Sequence, residues 1–364
     1  MHPSLNPATL AGLRRPRPYP AVTVLLPTHR REPDNAQDPV RLRNLVAEAK
    51  ERLKSDPAVA REQRIEVAAQ LDRAVAEIDL VHAGDGLAVF AAPGEHQVWS
   101  LARTVPSRVV FSDTFLTRNV VAAQAAERPY WVLAVSADRV SLWSGTPERV
   151  VEHTADGFPL TRSLDDPDAE RKERIGDVPS TFRDEHTRKF LREADLAAAR
   201  VLHAHPRPLF VAGEAAALSL LDDVGAVIRG ATAVPHGGLA HGPVDAVWQA
   251  VRPFLATREK SELDSVVHEL DAAQGRHQYA AGLDEVWQNV TTDRVRLLAV
   301  EDSYQATVRD DGGHLVPAGD DDLDAVDDVV DDIVERALDT GAQVRFVPEG
   351  RLTDRGRIAC VLRY

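Results

Sequence analysis

The chain contains one cysteine, Cys360, so no disulfide can close within it and no cysteine-based zinc cluster can form. That usage fits a reducing compartment. No apolar run approaches the ~20 residues a membrane-spanning helix needs. The longest, VTVLL at 22–26 and YWVLAV at 130–135, are the length of strands. The first residues, MHPSLNPATLAGL, lack the basic stretch and following apolar stretch of a secretory signal, so a soluble, cytoplasmic protein is expected. Positive charge is also scarce. Forty-three Lys and Arg against 57 Asp and Glu leave a net charge of -14. Bulk attraction to nucleic acid or to an anionic membrane is therefore not the default, and any polyanionic partner must meet local basic patches.

What is present is the composition of a globular protein. Hydrophobic residues make up 44% and charged residues 27%, which excludes disorder as the main state. At ~100–200 residues per domain, 364 residues predict two or three domains.

The pattern along the chain alternates between strand and helix periods. VTVLL reads as a buried strand stopped by Pro27. A helix is expected over 39–54, with Asp38 as N-cap and Pro39 in the first turn, and a second over about 58–82. Strands at 87–91, 96–101 and 108–111 and a helix in LTRNVVAAQAA complete a first α/β part. Beyond Arg128-Pro129, YWVLAVS, RVSLWSG and RVVEHTA predict a three-stranded meander. Residues 156–180 then lose all apolar periodicity, which marks a long functional or disordered loop. A helix over about 181–205, the strand PLFVAG and the helix EAAALSLLDD follow, and VPHGGLAHGP at 234–243 has the composition of a hinge. In the last part a helical pattern covers 244–273, where Pro253 should kink or break it. A short helix at 282–290, a strand at 294–300 and an extended run near 304–308 lead to DDDLDAVDDVVDDIVERALDTG. Leu323, Val326, Val330, Ile333 and Ala337 share one face of that stretch, predicting a helix with solvated aspartates and a C′ glycine at Gly341. Strands VRFVP and IACVLRY close the chain. The fold class expected is α/β in three parts, 1–127, 128–240 and 241–364.

Most chemical motifs are missing. His203, His205, His236 and His241 invite a metal, but no carboxylate stands at a ligand spacing and no HExxH occurs, so they read as surface-loop histidines. The acidic run has neither the sixth-position glycine nor the twelfth-position glutamate of a calcium loop. No GxGxxG opens a helix after a strand, and no GxxxxGK[ST] or GxSxG is present. No cofactor and no metal are expected. One feature stands out against the acidic background. Arg171, Lys172, Arg174, Arg183, Arg188, Lys189 and Arg192 gather positive charge in the loop and the helix after it, and His29, Arg30 and Arg31 form a smaller basic loop. Two readings stay open: a salt-bridged helix face, or a phosphate-contacting arm through which an acidic protein can touch RNA.

The order of segments carries a resemblance. VTVLLPTH, two helices, DGLAVFAAPGE and SRVVFSD; then RPYWVLAVSADRVSLWSGTPERVVEHTADGFP; then HTRKFLREADLAAARVLHAHPRPLFVAGEAA and VPHGGLAHGPVDAVWQAV; then DEVWQNVTTDRVRLLAVEDSY, the acidic helix and RGRIACVLRY. In this order the strings resemble the class-1 peptide chain release factors of archaea and eukaryotes, specifically their bacterial relatives, including factors of the Balon type. Each string is weakly specific, and together in this order they are considerably more so. The resemblance covers nearly the whole chain. It implies a release-factor-like N-terminal domain, an RNase-H-like middle domain and a C-terminal ribosomal-protein-like α/β sandwich.

The departures shape the functional expectation. The family carries Gly-Gly-Gln just before the long middle helix, where the glutamine backbone helps place a water on the peptidyl-tRNA ester. Here that place reads GDVPSTFRDEHTRKF, and no glutamine occurs between Gln124 and Gln249. The stop-codon-reading loop, the NIKS motif, belongs between the two N-terminal helices, where this chain has only KSDPAVARE. The resemblance thus implies a noncatalytic ribosome-binding factor that occupies the A site in hibernation or rescue, its 156–180 loop reaching toward the peptidyl transferase centre. Expected partners are the ribosome, through rRNA and tRNA, with an elongation factor as a further candidate; membrane and DNA are not expected. Two alternatives remain open. One is a peptidyl-tRNA or RNA hydrolase using His186 or Asp184 as base. The other is a scaffold that binds a protein through its third domain.

Overall fold

The computed structural model describes residues 7–30, 32–147, 149–163, 185–226, 228–319, 325, 326 and 328–364. The chain forms two compact units, Met1–Ala126 with Leu263–Tyr364, and Glu127–Glu262.

The first unit holds two sheets. Strands β1 (Ala21–Pro27), β2 (Gly86–Ala92), β3 (Glu95–Leu101) and β4 (Arg108–Ser112) form an antiparallel sheet in the order β3-β2-β1-β4. Val22, Val24 and Leu26 point to one face, where they meet Leu42, Val46 and Leu53 of α2 (Asp38–Ser55) and Val67 and Leu71 of α3 (Arg61–Glu77). Leu25, Phe90 and Trp99 point to the other, against Leu13 of α1 (Pro7–Arg14), Phe115, and Val120 of α4 (Arg118–Glu127). Burial on both faces explains why β1 is a continuous apolar run rather than an alternation. The second predicted helix ends at Glu77, short of 82. Asp38 is the first residue of α2 rather than its side-chain cap: its carboxylate accepts from the backbone N–H of His29 at 2.7 Å.

The second sheet of this unit has the order β11-β16-β12-β15, from Tyr279–Ala281, Ile358–Leu362, Val295–Glu301 and Gln343–Val347. Strand β12 pairs antiparallel with β16 and parallel with β15. Helix α7 (Val244–Gly275) begins in the second unit and ends in the first, where Val266, Leu270 and Ala273 cover one face of the sheet. Helices α8 (Leu283–Thr291) and α9 (Val329–Asp339) cover the other face with Val286, Val290, Val330, Ile333 and Val334. This is the expected α/β sandwich. Gly341 follows α9 with φ +75, and Ala342 N–H returns to Ala337 O at 2.8 Å, as the predicted C′ glycine requires. A hairpin of β13 (Val308–Asp311) and β14 (His314–Pro317) stands apart from the sheet.

Two expectations about these helices change. Helix α7 runs through Pro253 without a break, and the Thr257 hydroxyl donates to the Pro253 carbonyl at 3.0 Å. An interior proline costs ~3 kcal/mol, which burial of Val247, Val251, Val266 and Leu270 along the same helix can offset. Residues 320–324 and 327 of the acidic stretch, Leu323 among them, lie outside the described residues, and in the described part the aspartates expected to be solvated are not all so. Val326 bridges Val308, α9 starts only at Val329, and Asp328, Asp331 and Glu335 are 5%, 2% and 7% exposed. Asp331 turns inward to the start of α4, whose first backbone N–H groups its own helix cannot satisfy: Oδ1 accepts from Arg118 N at 2.7 Å, and Oδ2 from Thr117 N at 3.3 Å.

The second unit is built on β5 (Tyr130–Val135), β6 (Arg139–Thr146), β7 (Arg149–His153), β9 (Leu209–Gly213) and β10 (Thr232–Pro235), in the order β10-β9-β5-β6-β7. The first three form the predicted antiparallel meander, β9 runs parallel to β5, and β10 parallel to β9. Counted within the unit this is the order 3-2-1-4-5 of an RNase-H-like sheet. Two residues of the long loop, Leu160–Thr161, form β8 against β6. Helices α5 (Glu185–Ala204) and α6 (Ala215–Val224) pack on one face through Phe190, Leu191, Ala194, Val201, Leu220 and Leu221. Val247 and Val251 of α7 pack on the other.

Candidate nucleic-acid interface

Helix α5 is set on its sheet by alternation of apolar and polar residues at helical spacing. Thr187, Phe190, Leu191, Ala194, Ala197, Ala198 and Val201 are buried. Asp195, also buried, accepts from the backbone N–H groups of Ala226 at 2.9 Å and Ile228 at 3.2 Å and so fixes the loop after α6. At the other end Arg162 clamps the first turn. Its Nε donates to Ala137 O, its Nη2 donates to Thr187 Oγ1 at 2.6 Å, and its guanidinium lies 5.5 Å from the Phe190 ring. The backbone N–H of Arg162 donates to Asp138 O at 2.8 Å. Residue 162 and the start of α5 are therefore held at one point, the tip of the β5–β6 turn.

The same turn binds His241, whose Nε2 is 3.2 Å from Asp138 Oδ2, while Ser136 Oγ donates to Oδ1 at 2.7 Å. Partial burial works to raise the Asp138 pKa, but the hydrogen bond from Ser136 and the neighbouring His241 outweigh it and keep the carboxylate ionised.

The outward face of α5 carries Lys189, Arg192, Leu196, Arg200 and His203 at steps of three and four residues, on the side of the helix away from its buried residues. From Lys189 to His203 the stripe is ~21 Å long at 1.5 Å per residue. Sequence reading found Arg188, Lys189 and Arg192 and missed Arg200; it weighed His203 only as a metal ligand, although the spacing alone places both on the stripe. Arg188 is half-buried. Arg192 Nη1 pairs with Glu185 Oε1 at 3.1 Å, so part of this face is the salt-bridged helix surface of the plainer reading. Arg171, Lys172, Arg174 and Arg183 lie outside the described residues, as does Asp184. His186 is exposed in the first turn of α5.

The smaller basic loop lies in the first unit and is closed on its own carboxylates. His29 Nδ1 is 2.9 Å from Asp38 Oδ1, which also accepts from Arg41 at 2.9 Å, and Arg30 Nη2 donates to Asp85 Oδ2 at 2.8 Å. Asp38 is buried, and these neighbours supply its hydrogen bonds. Arg31 lies outside the described residues. His29 and Arg30 thus belong to one unit and Lys189 and Arg192 to the other.

Among the described residues no group of three or more His, Cys, Asp or Glu side chains is placed to hold a metal ion. Burial pushes the Cys360 thiol up to about 12, which makes it a core residue rather than a nucleophile. Among the described residues no helix is long and apolar enough to cross a membrane.

The RNase-H-like sheet and its long helix fall within the segment that decides the kinship. Residues 129–294 match the family described as bacterial archaeo-eukaryotic release factor family 3. Over that segment the chain resembles the release factors of this family. The resemblance drawn from the order of its segments is borne out over that stretch. No curated protein matches the chain. Among solved structures it is similar to the archaeal translation termination factor aRF1, at 16% identity over 98% of this chain and 96% of that one, with a TM-score of 0.26. It is also similar to Archaeoglobus fulgidus Pelota (16% identity, 76% and 79% coverage, TM-score 0.34) and to Dom34 of S. cerevisiae (12% identity, 74% of each chain, TM-score 0.39).

Proposed function

We propose that this protein is a ribosome-associated translation factor of release-factor type that works without the family's peptide-release chemistry, filling the A site in hibernation or rescue. The observation that carries the reading is a conjunction. The family match covers the RNase-H-like unit and α5, yet the residues leading into α5 contain no Gly-Gly-Gln and no glutamine at all. A fold of this kind without its hydrolytic triplet retains binding and loses turnover. The division of labour follows the three parts 1–127, 128–240 and 241–364. RNA phosphates are met by Arg171, Lys172, Arg174, Arg183 and Arg188 and by the stripe that begins with Lys189 and Arg192, which gives an acidic protein a local cationic surface. His29, Arg30 and Arg31 form the secondary contact. The partners in this reading are rRNA and tRNA, with an elongation factor as a further candidate, in the cytoplasm. No cofactor enters it.

The test is sedimentation of the full chain in a lysate gradient with and without RNase. Migration with ribosomes that RNase treatment shifts to the top of the gradient is the expected result. Migration as a free protein in both gradients overturns it, and RNase-insensitive co-migration with another protein favours the scaffold reading.

A further inference from the structure

Three carboxylates lie buried where α9 meets the start of α4, and two guanidinium groups converge on one of them. Arg118 donates through Nη2 to Asp328 Oδ2 at 3.1 Å and through Nη1 to Oδ1 at 3.4 Å. Arg108 Nη1 reaches the same Oδ2 at 3.1 Å. Asp331 receives two backbone N–H groups instead, and Glu335, one turn further along α9, receives the hydroxyl of Thr117, which is 2.6 Å from its Oε1. Asp331 and Glu335 share a face of the helix by their i, i+4 spacing. Other charges face the cluster. Arg14, from α1, pairs with Asp339 and lies near Glu335; Asp113, after β4, and Arg336 lie near Asp332. Among the described residues, the ion pairs of this region end on Asp328 and Asp339 rather than on Asp331 or Glu335.

We propose that the α4–α9 contact is a proton-linked latch: the buried Asp331 and Glu335 carboxyl groups, both set against Thr117, carry one proton, and its loss loosens the joint between α4 and α9. A buried carboxylate with no cation paired to it is taken up more cheaply as the acid. Burial pushes Glu335 up to about 7 and Asp332 up to about 6, and burial together with the neighbouring Glu335 charge holds Asp331 well above the ordinary carboxylate range. The folded-state values are raised over those of the unfolded chain. The stabilisation is therefore fully present only below the ordinary carboxylate range, declines as pH rises through mild acid, and is lost as pH passes about 7. This is opposite to the behaviour of a surface salt bridge, in which the carboxylate must stay ionised.

Hydrogen exchange of the α4 amides in the full chain, corrected for the intrinsic pH dependence of exchange, reads the latch directly. A single proton released near pH 7 lowers α4 protection by about tenfold between about pH 6 and about pH 8. Glu335→Gln, which keeps the shape and the hydrogen bond but cannot ionise, is expected to flatten that change. Should this variant fail to fold, Thr117→Val serves instead. It removes the hydroxyl that favours the charged form of Glu335 and moves the loosening midpoint to higher pH. Protection that is constant or rises with pH in the unmodified protein overturns the proposal. So does a pH dependence that persists in Glu335→Gln, or a midpoint that stays in place in Thr117→Val.

Discussion

Arg118 and Asp328 stand 210 positions apart in the chain and meet as a two-pronged ion pair, buried on both sides. The same guanidinium donates to the Tyr304 carbonyl, so one side chain at the start of α4 ties the first sheet to the loop and helix of the last. Removing one member of such a pair leaves an uncompensated charge in the interior. Arg118→Ala is therefore expected to cost about 3 kcal/mol or more, read as a lower urea midpoint. Arg118→Ala with Asp328→Asn should recover part of the loss, because the stranded charge goes with it. An unchanged midpoint in the single variant would mean that Arg118 does not hold this unit together.

Arg162 holds the first turn of α5 to the β5–β6 turn through Ala137 O and Thr187 Oγ1. Arg162→Ala leaves a buried hydroxyl and a carbonyl without their donor, an expected loss of about 1–3 kcal/mol. The loss should be local first. Hydrogen exchange should speed up at the start of α5 while the amides of β5 and β9 stay protected. Uniform acceleration across the sheet would show that the clamp is not local.

On the proposed reading, affinity for RNA falls with salt in proportion to the number of phosphates that the basic residues neutralise. Neutralising Arg171, Lys172 and Arg174 together is expected to reduce the slope of log K against log salt by about one unit for each phosphate they neutralise. Lys189→Ala with Arg200→Ala should flatten it further if the outward face of α5 belongs to the same surface. Ribosome co-sedimentation with an unaltered slope in both variants would assign the stripe to the solvated helix face that the Arg192–Glu185 pair already exemplifies.

Turnover separates the noncatalytic factor from a hydrolase. Peptidyl-tRNA incubated with the full chain in excess is expected to release no peptide above background, and His186→Ala and Asp184→Asn should change nothing. Release that falls in either variant would establish an enzyme, with His186 or Asp184 as general base.

Burial on both faces was legible in the strands, because period-two and continuous apolar runs such as VTVLL and YWVLAV depend only on local chemistry. The same holds for the long helix α5, whose buried residues fall at helical spacing, and for Gly341, whose positive φ suits the residue type. The ends of α7 were legible, but its unbroken run through Pro253 was not. A proline in the interior is a local penalty, and the burial that outweighs it comes from two different sheets.

The charged residues divide along the same line. From sequence, Arg188, Lys189 and Arg192 could be placed on a helix and Arg200 could have been added to them, because one helix sets their spacing. The missing Gly-Gly-Gln was equally plain. What the sequence by itself determined, then, is the α/β pattern of the elements, the cationic stripe on α5 and the lack of a release triplet. Only the tertiary structure decided that Asp328, Asp331 and Glu335 are buried and that Asp38 accepts from the backbone of His29 rather than capping its helix. The aspartates of the acidic stretch look like a soluble surface until the N-terminus of α4, some two hundred residues earlier, is brought against them. Whether a charge faces water or a partner depends on what the fold brings beside it, and no local period encodes that.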